Sequence, residues 1–451
     1  MWGILFLIVY IFLLVLIRVS KDDLISKMIL LFFTSIWLLS LFISCFNPLG
    51  LYEVSDTVYM ILLINVVSFF VGFNLVRNKE LYKRNDYVNK FESSLNNTLT
   101  NKYFIILTII SIIILVSAAR TQMAILAIDA NEMGGISTGE NDVLFESAFI
   151  SILYNVFIPV IFHISLFLFP YLLLVKKNKL YAIAIGILIF SRALIGGSRD
   201  SIFIIFIYFF AFLLMSSVLT RKRFNFKNLS VKKILAVVVL GIGVYLGMVF
   251  LTSLRHGNVE VNEQSYNEYS EGLQHSFVNY ACGPFRGMDY GIKNHFDDYA
   301  GSPLMGLSTC SGLFDLLQLF ANKISVDLHP VSGRTVQHQQ DIRFNVSPTF
   351  STFNYAYTNA MIFYYDGGVI AVIIFSFLFG LTTKLIIRMM YKNMTFPAAL
   401  LVGFFIFGVY KSTFTWFLIK HWAWLYVIIL IIWHHFEKKK NTKQRLLIKK
   451  K

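Results

Sequence analysis

Near-continuous apolar runs of bilayer length, about eleven of them, constrain this chain more than any other feature. A hydrocarbon core of about 30 Å is crossed by about 20 apolar residues in a helix. Only a helix or a closed barrel satisfies its backbone there. The runs are Gly3–Val19, Met28–Phe46, Thr57–Val76, Tyr103–Ala119, Ala148–Val175, Leu180–Leu194, Ser201–Leu219, Ile234–Thr252, Gly368–Ile387, Phe396–Tyr410 and Phe414–Trp433. The fifth carries Pro159 and Pro170 and is expected to tilt or kink. The sixth is short. The last two leave room only for a tight turn near Lys411. Met1–Val19 has no positively charged start and no small-residue cleavage site, so it reads as a first span.

The expected fold is an all-α polytopic membrane protein, one helical body rather than several soluble domains. Charged residues make up only 14% of the chain, against about 25% in soluble domains. Eight spans are expected over 1–252, and a large polar loop with short amphipathic helices over 253–366. Three more spans follow over 367–436, and a basic tail over 437–451.

Basic residues orient the spans. The loop Arg77–Lys102, the run Lys176–Lys179, the loop Arg221–Lys233 and the tail Lys438–Lys451 alternate onto one side, which holds 29 of the 40 Lys and Arg. That side is expected to be cytoplasmic. The large loop is then extracytoplasmic, and it is acidic, with eleven Asp or Glu against six Lys or Arg. The net charge of +15 is therefore a topology signal plus a tail suited to anionic lipid headgroups, and it calls for no nucleic acid.

The kind of cation differs between the sides. Arginine supplies seven of the 29 inner cations but seven of the 11 outer ones: Arg120, Arg192, Arg199, Arg255, Arg286, Arg334 and Arg343. A planar guanidinium grips phosphate or carboxylate through two parallel bonds, which lysine does not. Arg120, Arg192, Arg199 and Arg255 fall at or near outer span ends, at headgroup depth. The competing reading is that these arginines pair with the loop's acids.

The sharpest local signal is Ser191-Arg192-Ala193-Leu194-Ile195-Gly196-Gly197-Ser198-Arg199-Asp200-Ser201, between two spans with almost no loop. A Gly-Gly-Ser turn lets backbone N–H groups approach an anion, and the following helix N-terminus favours one. An Arg192–Asp200 or Arg199–Asp200 ion pair closing the hairpin is the plainer alternative. Leu254-Arg255-His256-Gly257 puts an arginine at headgroup depth beside a possible base, although a loop histidine is more often simply solvated. Tyr280-Ala281-Cys282-Gly283-Pro284-Phe285-Arg286-Gly287-Met288-Asp289 combines an aromatic, an arginine and a carboxylate, a sugar-site composition that also suits an ordinary turn.

Ser311–Asn322 places Leu313, Leu316, Leu317 and Phe320 on one helical face. Asp366, ahead of Gly367-Gly368, is expected to cap the ninth span. Lys384 is expected to snorkel and His163 to pack in the core. Cys282 and Cys310 share the loop, and two unpaired thiols are the favoured reading over a disulfide. No Cys/His spacing suggests zinc, and no Walker, dinucleotide or nucleophile-elbow motif occurs.

Three of these segments resemble the bacterial Wzy-type oligosaccharide repeat-unit polymerases of O-antigen and capsule synthesis. They are Gly197-Ser198-Arg199 between mid-chain spans, Tyr280-Ala281-Cys282-Gly283-Pro284 in the outer loop, and Tyr357-Thr358 with Tyr364-Tyr365-Asp366-Gly367-Gly368 entering the next span. Tyr355 stands where the family often has Asn, Gly367 where it has Phe, and Arg286 has no family counterpart. The resemblance implies a lipid-donor glycosyltransferase fold of the GT-C kind, with an undecaprenyl-diphosphate-linked oligosaccharide as both donor and acceptor. Arg199, Arg192 and Arg255 would hold the diphosphate, and His256, Asp200 or Asp289 would act as base. Tyr280, Tyr357 and Asp366 would contact sugar, and Arg286 would do so on its residue chemistry alone. No cofactor or metal is implied, and a chain-length regulator is the implied protein partner. A related ligase is the nearest alternative. A transporter or flippase of lipid-linked glycan would place polar residues deep in several spans, where this sequence reads as apolar. A non-catalytic scaffold would tolerate Arg199→Lys.

Overall fold

The computed structural model describes residues 2–47, 50–77, 84–126, 145, 147–176, 178–195, 199–219, 281–293, 305–321, 343–344, 353–354 and 358–449. The chain forms two compact units, one from Met1–Tyr82 with His275–Lys451 and one from Lys83–Gln274. Apart from a two-residue antiparallel pair, Arg343–Phe344 with Phe353–Asn354, the described elements are helical. Among the described residues, six helices are long and apolar enough to cross a membrane, and two apolar ones are shorter. This is a membrane-embedded helical protein. The expected span Ile234–Thr252 lies outside the described residues.

The first unit begins with α1 (Trp2–Val19) and α2 (Leu24–Phe46), an apolar hairpin. Ile4, Ile8 and Phe12 of α1 stay exposed, as a lipid-facing stripe does. Asp23 caps α2, accepting from Ser26 N–H at 2.9 Å. Asn47 ends α2 in a left-handed conformation (φ 46°), which Asn tolerates better than most residues. Then come α3 (Asp56–Asn74) and, later, α12 (Asn359–Asn393), α13 (Phe396–Lys411) and α14 (His421–Lys449). The segment 414–420, expected to be span, is a turn plus a single 3-10 turn at Phe417–Ile419, and the basic tail continues α14 as helix.

α3 and α12 cross in near-contact. A Cβ on Gly72 would lie 2.0 Å from the Phe377 carbonyl oxygen, and one on Gly380 would lie 2.1 Å from that of Phe69. Small residues are what let membrane helices approach so closely.

α12 is two helices. Gly368 has φ 63° and ψ −147°, a conformation essentially restricted to glycine. The eight residues before the break fold back along the long arm that follows it. Asn65 of α3 bonds both arms, donating to Asn359 Oδ1 at 3.3 Å and accepting from Ser376 Oγ at 2.5 Å. Phe363 and Phe379, one from each arm, both lie 5.0 Å from Trp416. At 1.5 Å per residue the short arm reaches about 12 Å inward from the break. The expectation that the spans' interior is apolar is therefore corrected. Asn65, Asn359, Ser376 and Ser412 are all fully buried, and Ser412 accepts the Asn359 N–H at 2.8 Å and the Trp37 indole N–H at 2.9 Å.

The second unit holds α4 (Arg84–Leu99), α5 (Lys102–Leu126), α6 (Ala148–Ile152), α7 (Ile158–Tyr171), α8 (Lys179–Leu194) and α9 (Arg199–Leu219). α4 is an amphipathic helix in what reads from sequence as a basic loop, and it buries Val88, Phe91 and Leu95. The span with two prolines is interrupted by π turns at Leu153–Phe157 and Leu172–Lys176. Pro159 and Pro170 donate no N–H, so the ladder reorganises beside them. His163 is buried as expected and shares a 2.7 Å hydrogen bond with Tyr208.

Candidate functional site

In the second unit, α8 ends at Leu194 and α9 opens at Arg199, with Ile195 extended and residues 196–198 outside the described set. So short a connection brings the last turn of α8 and the first turn of α9 to one end of the unit. Arg192 lies in that last turn and Arg199 and Asp200 in that first turn. Arg192 is half-buried. It donates to the Tyr154 hydroxyl, and its guanidinium carbon lies 4.8 Å from the Tyr154 ring centroid. Cation–π contact holds a charge near hydrocarbon without neutralising it. Tyr154 is buried on the π turn ahead of Pro159, and π turns recur at functional positions. The sequence reading missed Tyr154; its signal was Pro159, five residues on.

In the first unit, α10 (residues 281–293) carries Arg286 and Asp289 one turn apart. Arg286 is 4% exposed. Its Nε donates to Tyr52 O at 2.9 Å. Nη1 donates to Ser44 Oγ at 2.7 Å and Cys282 O at 3.1 Å, and Nη2 to Ser44 O and Asn47 Oδ1, each at 3.3 Å. These five bonds match the five N–H groups of a guanidinium. Arg286 therefore clamps α10 to the carbonyl end of α2 and the α2–α3 turn, and it has no N–H to spare for a sugar.

Asp289, 7% exposed, is also engaged at both oxygens. Ser55, at the start of α3, donates to Oδ1 at 2.5 Å, and Lys293 Nζ bonds Oδ2 at 2.6 Å. Cys282, Cys45 and Cys310 are free thiols. Burial pushes the Cys282 thiol up to about 11.

Asp366 does not cap the span that follows it. Thr358 caps α12, accepting from Met361 N–H at 3.3 Å. Asp366 lies just before the Gly367–Gly368 break and turns its carboxylate onto the 305–310 turn. Oδ1 accepts Ser308 N–H at 2.8 Å, and Oδ2 accepts Thr309 N–H at 2.8 Å and Thr309 Oγ1–H at 2.5 Å. That turn leads into α11 (Ser311–Ala321), the expected amphipathic helix. Its Gly312 packs against the backbone of Leu418 and Lys420, while Leu316 is buried and Leu317 exposed.

Arg286, Asp289 and Asp366 thus gather at the end of the first unit where α2 finishes, α3 begins and α12 breaks. There they fix two loop segments to the helices. At the opposite end, Lys384 is fully buried and pairs with Asp22 at 2.9 Å. It does not snorkel as expected. Asp23 beside it accepts from Tyr391 Oη at 2.9 Å. The remaining candidates, Arg255, His256, Tyr280 and Tyr357, lie outside the described residues, as do the side chains of Arg199 and Asp200.

No family model, curated protein or solved structure matches the chain.

Proposed function

We propose that the chain polymerises undecaprenyl-diphosphate-linked oligosaccharide repeat units into surface polysaccharide at the outer face of the bacterial cytoplasmic membrane. In this reading it crosses the bilayer about eleven times, with the loop 253–366 outside. The observation that carries it is the α8–α9 connection, where Arg192, held against Tyr154, ends one helix and Arg199 opens the next, with Gly196-Gly197-Ser198 between them in sequence.

The reaction breaks the C1–O bond between the growing chain and its diphosphate. It forms a C1–O bond to an acceptor hydroxyl of a new lipid-linked unit. The hydroxyl proton passes to a base, and undecaprenyl diphosphate leaves with the bonding electrons. Arg192, Arg199 and Arg255 stabilise the charge that develops on that leaving group, which is commonly the largest catalytic contribution. His256 or Asp200 serves as base. Asp289 is already bound at both oxygens, and it and Arg286 build the loop platform. Tyr280 and Tyr357 offer ring faces to sugar. The energy comes from the diphosphate linkage, so no nucleotide is consumed. A chain-length regulator is the protein partner this reading implies.

A second reading, a transporter of lipid-linked glycan, is favoured by the folded-back short arm of α12 and its buried Asn65–Asn359–Ser376 contacts midway along α3, because transporters place broken helices and polar groups at mid-membrane. Reconstitution separates the two. Purified protein in lipid with a defined undecaprenyl-diphosphate repeat unit should give a glycan ladder on a gel, and folded Arg199→Ala should not. Absence of a ladder while lipid-linked glycan crosses the bilayer would move the transporter reading to the front.

A further inference from the structure

The end of the first unit away from Asp366 holds a cavity of about 480 Å³ between the long arm of α12 and α14. Arg388 and Lys392 line it from α12, and His434, His435 and Lys438 from α14. The long arm of α12 carries no acid, and α14 carries one, Glu437, whose Oε1 is taken by the Trp433 indole N–H at 3.0 Å. Among the described residues, no carboxylate forms an ion pair with Arg388 or Lys392. The neighbouring Lys384 differs in kind, because it is buried and paired with Asp22. Four of the five basic or imidazole residues lining the cavity, Arg388, Lys392, His435 and Lys438, are exposed. His434 is buried and fixed by Asn393 at 3.2 Å and Thr395 at 2.7 Å, so it forms the cavity's rigid back.

Toward the bilayer, the same helix faces turn apolar. On α12, Leu378 and Leu385 precede Arg388 and Lys392 at helical spacing, and both leucines are exposed. On α14, Ile428, Ile431 and Ile432 precede His435 and Lys438, and all three are exposed. The two helices meet at the Asn393–His434 contact, where they form a cationic cup, and each carries an apolar stripe leading away from it. A soluble anion would use only the cup. An acidic phospholipid would use both parts, with its phosphate in the cup and its chains along the stripes.

We infer that this cavity is a binding site for the headgroup of an anionic phospholipid from the leaflet at that end. The inference rests on the chain's being membrane-embedded and is independent of the polymerase reading. The test is native mass spectrometry of the full chain in detergent with equimolar phosphatidylglycerol and phosphatidylcholine. Retained phosphatidylglycerol should exceed phosphatidylcholine by roughly tenfold or more, given two unpaired cations near the phosphate. Arg388→Gln with Lys392→Gln should abolish that preference without changing the melting temperature, because both side chains are exposed. Lys439→Gln with Lys440→Gln, which removes equal charge outside the cavity, should leave the preference intact. Equal retention of the two lipids, survival of the preference in the cavity variant, or its equal loss in the tail variant would each overturn the assignment. So would displacement of the lipid by excess inorganic phosphate, which would mark a soluble-anion site instead.

Discussion

Thr309 gives Oδ2 of Asp366 both its backbone N–H, at 2.8 Å, and its hydroxyl, at 2.5 Å. Asp366 is 3% exposed, and its buried carboxylate ties the 305–310 turn to the broken helix alongside one backbone bond, Met305 N–H to the Asp366 carbonyl at 3.0 Å. Asp366→Ala leaves two backbone N–H groups without acceptors. Each such loss costs about 1–3 kcal/mol, and the purified variant should melt several degrees lower in detergent. A variant inactive in glycan transfer yet unchanged in melting would instead assign Asp366 to the substrate.

Arg286→Lys should behave as a structural lesion. Lysine offers three donors at one point where the arginine uses five in a fork, and Ser44, Asn47 and Tyr52 lose partners. A loss of about 3 kcal/mol is expected, with early proteolysis of the 275–305 region. Wild-type melting accompanied by weakened glycan binding would contradict the clamp.

Gly368→Ala and Gly380→Ala test the folded-back helix. The first puts a Cβ on a residue whose backbone (φ 63°, ψ −147°) is essentially restricted to glycine, at about 1–3 kcal/mol. The second drives a Cβ to 2.1 Å from the Phe69 carbonyl oxygen, so α3 and α12 must separate, and overpacking of this kind costs about 1–3 kcal/mol. Both variants should unfold earlier. A cysteine pair at positions 363 and 375, whose rings lie 5.7 Å apart in a tilted contact, should crosslink, whereas a straight helix would hold the two too far apart.

Cys282 should resist alkylation in the folded protein at pH 8 and react fully after denaturation without reductant, as a free thiol does. Burial raises its pKa from 9.0 to about 11. The folded state therefore binds more protons than the unfolded state across that window, and stability falls as pH rises through it. A Cys282→Ser variant should lose part of that alkaline slope. Labelling of denatured protein only after reduction would show a disulfide.

The parts of this fold legible in the sequence were those set by local hydropathy. The bounds of α1, α2 and α3 follow from uninterrupted apolar runs, and α11 follows from its leucine spacing. Residues 359–366 read as loop because eight residues cannot span, and their fold-back depends on Asn65, far away in the chain. Lys384 reads as snorkelling until Asp22 is placed beside it. α4 was legible at Val88, Phe91 and Leu95 but hidden by the charge around them. At the candidate site, the arginines and the Gly-Gly-Ser sequence between them were visible as residue types. Tyr154 was not, because its contact with Arg192 depends on the packing of two helices.

The most direct test of the central claim is to count undecaprenyl diphosphate released by the reconstituted protein against glycosidic bonds formed. The account predicts one diphosphate per bond, with both falling together in Arg192→Ala and Arg199→Ala. Glycan translocation with no release of the carrier would contradict it.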